Sequence, residues 1–116
     1  DFLRGTMPVT ERTIQPARIL HGGASVVFAE TLASVAASCT VDRARYLVLG
    51  QEINANHLRP APLGTKLVGT TRPYHVGRRS QVCGIEISNE QGQMICISRI
   101  TMAVVERHPS AHVAAP

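Results

Sequence analysis

The stretch HGGASVVFAETLASVAAS, His21 to Ser38, is built almost entirely from small or apolar residues and carries one carboxylate, Glu30. Burying an ionised carboxylate costs several kcal/mol, so Glu30 is expected to be paired, neutralised, or turned toward a cleft as a base or nucleophile. Ser34 follows four residues later, one turn along the same face of a helix. Gly22 and Gly23 stand where that helix would begin. Unpaired N–H groups there, reinforced by the helix dipole, can hold a developing oxyanion, although a glycine pair also simply allows a tight turn. Gly22 and Glu30 are about 12 Å apart along a helix rising 1.5 Å per residue. One helix therefore cannot bring both groups to one carbonyl, whereas two antiparallel copies related by a two-fold axis can, which places the expected site at a homodimer interface.

The elements that must position these groups are legible around them. Phe2 to Val9 reads as a short strand ending near Pro8, followed by a polar connection to the glycines. From Gly23 to about Thr40 the alanines and Leu32 favour a helix, and apolar residues run round nearly its whole circumference, the pattern of a helix covered on all sides. Tyr46 to Leu58, Leu67 to Tyr74, Gln81 to Ser88 and Met94 to Val105 are β-rich runs separated by the turn-bearing segments RPAPLG, HVGRRS and NEQGQ. In the third run Gln81, Cys83, Ile85 and Ile87 share one face. These connections are too short for helical crossovers, so neighbouring strands are expected to form antiparallel hairpins. A long helix against an antiparallel sheet is an α+β architecture.

Length and composition narrow the possibilities further. At 116 residues and 44% hydrophobic, the chain supports one core, expected over residues 1–107 with a frayed Ala- and Pro-rich tail over 108–116. A start without Met, in what reads as the middle of a strand, leads to the expectation that an N-terminal segment is missing. The net charge of +4 and an aromatic content of 3% argue against nucleic acid as a partner. Cys39, Cys83 and Cys96 form neither a disulfide framework nor a CxxC, which fits a reducing, cytoplasmic setting. The histidines lack metal-ligand spacing, so no metal is expected, and no apolar run has the length of a membrane span.

Together, LHGGASVVFAETLASVAA, GQEINANHLRP and RPYHVGRRSQ resemble the hotdog-fold acyl-CoA thioesterases, in the branch with a catalytic carboxylate on the central helix. Within that branch the likeness is to hydrolases of 1,4-dihydroxy-2-naphthoyl-CoA and to enterobactin-pathway proofreading thioesterases. It runs from about Phe2 to Val105. The resemblance implies a hotdog fold and hydrolysis of an acyl-CoA, most simply an aromatic one, with no cofactor because CoA is part of the substrate. It implies Glu30 as nucleophile or general base, Gly22 as the backbone donor to the carbonyl oxygen, and His21 as its polarising neighbour. Gln15 would orient substrate or water, and Ser34 would hold the attacking water. His57, Arg59 and the turn Gly77, Arg78, Arg79 and Ser80 would bind the CoA nucleotide, a task suited to guanidinium groups and glycine-turn N–H donors. The family also implies a dimer or dimer of dimers. A different class of function, a non-catalytic hotdog module binding acyl-CoA as an effector, would have no need of Glu30.

Overall fold

The computed structural model describes residues 2–107, and the tail expected from residue 108 lies outside them. Its elements in chain order are β1 (Leu3–Pro8), α1 (Gly22–Ser38), β2 (Tyr46–His57), β3 (Lys66–Val76), β4 (Ser80–Ser88) and β5 (Met94–Glu106). The strands form one antiparallel sheet in the order β1-β3-β4-β5-β2, and α1 touches every strand. This is the expected hotdog arrangement.

Two hairpins, β3–β4 and β4–β5, form as the turn residues imply. The link from β2 to β3 departs from the expected hairpin. It carries the chain from one edge of the sheet to the far side, because β2 pairs only with β5 whereas β3 lies between β1 and β4. Crossing three strand spacings needs about 14 Å, and the residues from 58 to 65 reach up to about 26 Å when extended, so no helix is required. Pro60 and Pro62 stiffen this segment, which ends in a turn at Leu63 and Gly64 closed by the bond from the Thr65 N–H to the Pro62 carbonyl (3.1 Å). It is anchored on the way by the bond from the Leu20 N–H to the Ala61 carbonyl (2.8 Å) and by a bridge between Ile19 and Pro62.

The core lies between α1 and one face of the sheet. Strand alternation turns Leu67, Cys83, Ile85, Ile87, Cys96, Ile100 and Met102 inward, where they are buried, along with Gln81. Gly5 and Gly69 pair directly across β1 and β3, leaving a pit without side chains. Phe28 and Leu32 fill it. A Cβ on Gly69 would lie 2.9 Å from Phe28 and 3.1 Å from Leu32, and one on Gly5 would lie 3.0 Å from Leu32. These contacts set the rotation of α1 about its axis.

That rotation overturns the expectation of a helix covered on all sides. A single sheet shields only one flank, so Ala29, Leu32, Ala33 and Ala37 are buried while Val27 (64% exposed), Glu30, Thr31 and Val35 (50% exposed) face outward. The apolar circumference is satisfied in one chain on the sheet side alone.

One inward-facing polar atom, Ser98 Oγ, is buried with no hydrogen-bond partner among the described residues. Its desolvation costs about 1–3 kcal/mol without compensation. Accordingly, Ser98→Ala is expected to leave stability unchanged or to raise it, whereas Gly69→Ala, which forces a methyl into Phe28, should lower it by about 1–3 kcal/mol. Denaturant titration of the two variants against the parent checks both outcomes.

Candidate active site

The first turn of α1 allocates its donors unevenly. His21 is the N-cap, with extended backbone (φ −70°, ψ 132°), and its Nδ1 accepts the Gly23 N–H at 2.9 Å. Its carbonyl accepts the N–H groups of Ala24 (2.9 Å) and Ser25 (3.3 Å). The Gly22 N–H is left without a partner among the described residues. A helix N-terminus with one free donor can accept an anionic oxygen.

Two further side chains crowd this turn. The Ser25 hydroxyl, fully buried, donates to the Gly22 carbonyl at 2.7 Å and lies 2.6 Å from His57 Nε2. The His57 ring rests on Gly22 so closely that a Cβ there would lie 3.2 Å from Cε1. A side chain at 22 would thus crowd the histidine, which could admit it only by shifting. Sequence reasoning grouped His57 with the nucleotide site and passed over Ser25. The signal for the latter, a small hydroxyl four residues after the N-cap, is shared with any helix-packing serine.

Glu30 lies two turns further on. It is exposed and unpaired, and among the described residues the one ion pair is the exposed Arg18–Glu11 contact at 3.2 Å. Its Oε2 sits over Gly50 of β2, where a Cβ would lie 2.7 Å away, and the strand bulges between Gly50 and Glu52. The buried, charge-paired carboxylate weighed from the sequence is absent from the single chain. What the sheet supplies instead is a gap in its row of side chains. A glycine inside a strand signals such a close approach, so Gly50 was legible in LVLGQEI though not singled out. Ser34, half-buried one turn beyond, makes no side-chain hydrogen bond among the described residues.

The other expected residues fall in different places. Gln15 lies in a loop closed by the Ile14–Leu20 bridge and the bond from the His21 N–H to the Thr13 carbonyl (2.7 Å), and its Oε1 accepts the Ala17 N–H at 2.9 Å. Its side-chain carbonyl is therefore committed to its own turn, leaving the amide NH2 as the group available to a ligand. Arg78 and Arg79 are exposed in the β3–β4 turn, which is closed by the bond from the Gly77 N–H to the Ser80 carbonyl at 2.9 Å. Register places this turn far from His57 and Arg59. Ser80 pairs with Ala103, itself opposite Leu49, whereas His57 pairs with Cys96 at the other end of β5. The separation is about 23 Å at roughly 3.3 Å per residue. Within one chain, then, the six expected nucleotide contacts form two groups at opposite ends of the sheet.

Burial pushes the Cys83 and Cys96 thiols above their ordinary range. Both are walls of the core beneath α1. Among the described residues no group of three or more His, Cys, Asp or Glu side chains could hold a metal ion, and no helix is long and apolar enough to cross a membrane.

Residues 17–96 match the family model of the thioesterase superfamily. The chain belongs to that superfamily. It is 50% identical over 106 residues to the 1,4-dihydroxy-2-naphthoyl-CoA hydrolase of Escherichia coli K12, a match covering 90% of this chain and 76% of that protein. A proofreading thioesterase of Cronobacter turicensis is 47% identical over 105 residues, covering 90% and 75%. A crystal structure of a mutant thioesterase from Pseudomonas aeruginosa superposes with a TM-score of 0.89 at 44% identity, over 92% of this chain and 76% of that one. The thioesterase fold and the resemblance drawn from the three sequence motifs agree, and the chain is a thioester hydrolase.

The contact between Gly50 and Glu30 can be tested in such an enzyme. A methyl at position 50 would displace an exposed carboxylate that is free to swing aside, so Gly50→Ala is expected to cut the rate of thiol release roughly 10- to 100-fold, with little change in stability. Parallel turnover and denaturation measurements separate the two effects.

Proposed function

We propose that this thioesterase hydrolyses an acyl-CoA, with an aromatic acyl group, to the free acid and CoA. The observation that carries the reading is the presence on one helix of two groups without a partner among the described residues: the N-terminal N–H of Gly22 and the carboxylate of Glu30. Thioester cleavage needs an oxyanion donor and an activated attacking oxygen, and these two groups supply them. Glu30 attacks the carbonyl itself or takes a proton from the water that does. In the first case the carbon–sulfur bond breaks, the CoA thiolate leaves, and water hydrolyses the resulting acyl–Glu30 anhydride to the free acid, supplying the proton for the thiolate. In the second the bond breaks as the water oxygen becomes part of the free acid, and the proton held by Glu30 passes to the thiolate. Ser34 and the Gln15 amide are placed as positioning groups for water and substrate, and His21 as the cap that orients the first turn. No cofactor enters this scheme. The aromatic acyl group is favoured by the 50% identity to a hydrolase whose named substrate is a naphthoyl thioester.

The active unit in this reading is a homodimer or dimer of dimers. β2 is an edge strand with Leu49 half-exposed, and the outward face of α1 carries the exposed Val27 and Glu30, the latter over Gly50 of that strand. If two β2 edges meet antiparallel across a two-fold axis, the Leu49 end of one strand lies beside the His57 end of the other. The Arg78–Arg79 turn of one subunit then approaches His57 and Arg59 of its partner, joining the two groups that a single chain keeps apart. Glu30 likewise comes toward the partner's α1 N-terminus. Covering α1 in this way also desolvates Glu30, restoring the low-dielectric surroundings that make a carboxylate reactive. The three cysteines, all free, suit a reducing compartment such as the cytoplasm.

Glu30→Gln is expected to lower thiol release from 1,4-dihydroxy-2-naphthoyl-CoA or benzoyl-CoA by at least about a hundredfold, with assembly unchanged. Acyl-CoA binding without hydrolysis by the parent would overturn the enzyme reading for these substrates in favour of an effector-binding module. Mixing Glu30→Gln with Gly22→Val subunits tests the shared site. If each site draws Gly22 from one chain and Glu30 from the other, unfolding and reassembling the two inactive variants together should restore up to about a quarter of parental activity through hybrid dimers with one intact site.

A further inference from the structure

His57 reaches the helix N-terminus, but its chemistry depends on which ring nitrogen carries the proton, and the surrounding contacts decide that. The Ser25 hydroxyl has a single proton and two lone pairs. At 2.7 Å from the Gly22 carbonyl oxygen, which can only accept, that proton must point to Gly22. The 2.6 Å contact with His57 Nε2 therefore requires the ring to donate. Were Nε2 unprotonated, the hydroxyl would have to abandon the Gly22 carbonyl, leaving two oxygen acceptors in contact at hydrogen-bond distance.

From this geometry we infer that Ser25 is a positioning residue that fixes His57 in its Nε2–H tautomer and presents Nδ1 to the substrate. Nδ1 has no hydrogen-bond partner among the described residues, and His57 is exposed. In the neutral ring it is an acceptor. It is suited to an N–H donor, and in an acyl-CoA the donors nearest the thioester are the amide groups of the pantetheine arm. Ser25 thus holds the ring through one hydroxyl whose own proton is anchored on the Gly22 carbonyl. The assignment of Nδ1 to the pantetheine amide rests on the acyl-CoA thioesterase reading above. The tautomer does not.

The test is long-range ¹H–¹⁵N correlation of the imidazole nitrogens in uniformly ¹⁵N-labelled full-length protein, with the His57→Gln variant used to assign the ring. The expected result is an Nε2-protonated His57 in the parent and a mixture of tautomers in Ser25→Ala. An Nδ1-protonated ring in the parent, or a tautomer unmoved by Ser25→Ala, overturns the inference. Kinetics supply the second readout. Ser25→Ala should raise KM for acyl-CoA more than it lowers kcat, and should change kcat/KM by less than twofold when His57 is already replaced by Ala. Additive losses in that double-mutant cycle would show that Ser25 does not act through His57, and so overturn the inference as well. If the parent hydrolyses no acyl-CoA at all, the thioesterase assignment of substrate fails, while the tautomer spectra still decide the role of Ser25.

Discussion

The seating of Phe28 and Leu32 in the pit formed by Gly5 and Gly69 is the contact on which the rest of the molecule depends. Two facing glycines let the helix approach the sheet more closely than any pair of side chains would allow. At roughly 100° per residue, fixing positions 28 and 32 against β1 and β3 turns position 30 to the opposite flank, toward β2. Glu30 meets Gly50 for that reason. The same rotation sends Val27, about 100° from Phe28, outward. The placement of Glu30 over the sheet edge and the exposure of Val27 are therefore two results of one packing decision made on the far side of the helix.

The helix start obeys a separate logic of hydrogen-bond supply. A capping histidine satisfies three of the first four N–H groups, using both its ring and its carbonyl. The remaining donor belongs to the residue with no side chain to shield it. Glycine at 22 leaves room for the His57 ring, which a Cβ there would crowd at 3.2 Å, and adds no side chain over an N–H that has no partner among the described residues. The other atoms of this turn are themselves hydrogen-bonded, so its geometry is held without a ligand.

Much of this was readable beforehand. Alternation in QVCGIEIS gave the inward face of β4, and all of Gln81, Cys83, Ile85 and Ile87 are buried there. The glycine pair marked the helix start, and the odd carboxylate singled out Glu30, whose place over Gly50 only the structure supplies. What misled was the reading of apolar circumference as burial within one chain. Periodicity reports which faces avoid water in the functional molecule and is blind to whether the cover is a strand of the same chain or another subunit. Strand order was also hidden. The β2–β3 connection has hairpin length, and nothing in RPAPLG distinguishes a turn from an extended crossing. Ser25 and Gly50 were obscured differently, since their roles exist only across contacts distant in sequence, to His57 and to Glu30.

The pairing of β2 with β5 alone has a consequence for how the molecule is made. Both Gly50 and His57 lie on a strand whose sole sheet neighbour is encoded about 40 to 50 residues later. During synthesis, β1 and α1 emerge early, but the wall facing Glu30 has no ladder to join until Met94–Glu106 has left the ribosome. At about 5–20 residues per second that is a delay of a few seconds in which a β-rich segment waits unpaired. The strand that waits is punctuated by Gly50 and carries Gln51, Glu52, Asn54 and Asn56, a polar sequence poorly suited to stacking with copies of itself. The glycine and polar residues of β2 thereby also disfavour pairing of the waiting strand with copies of itself.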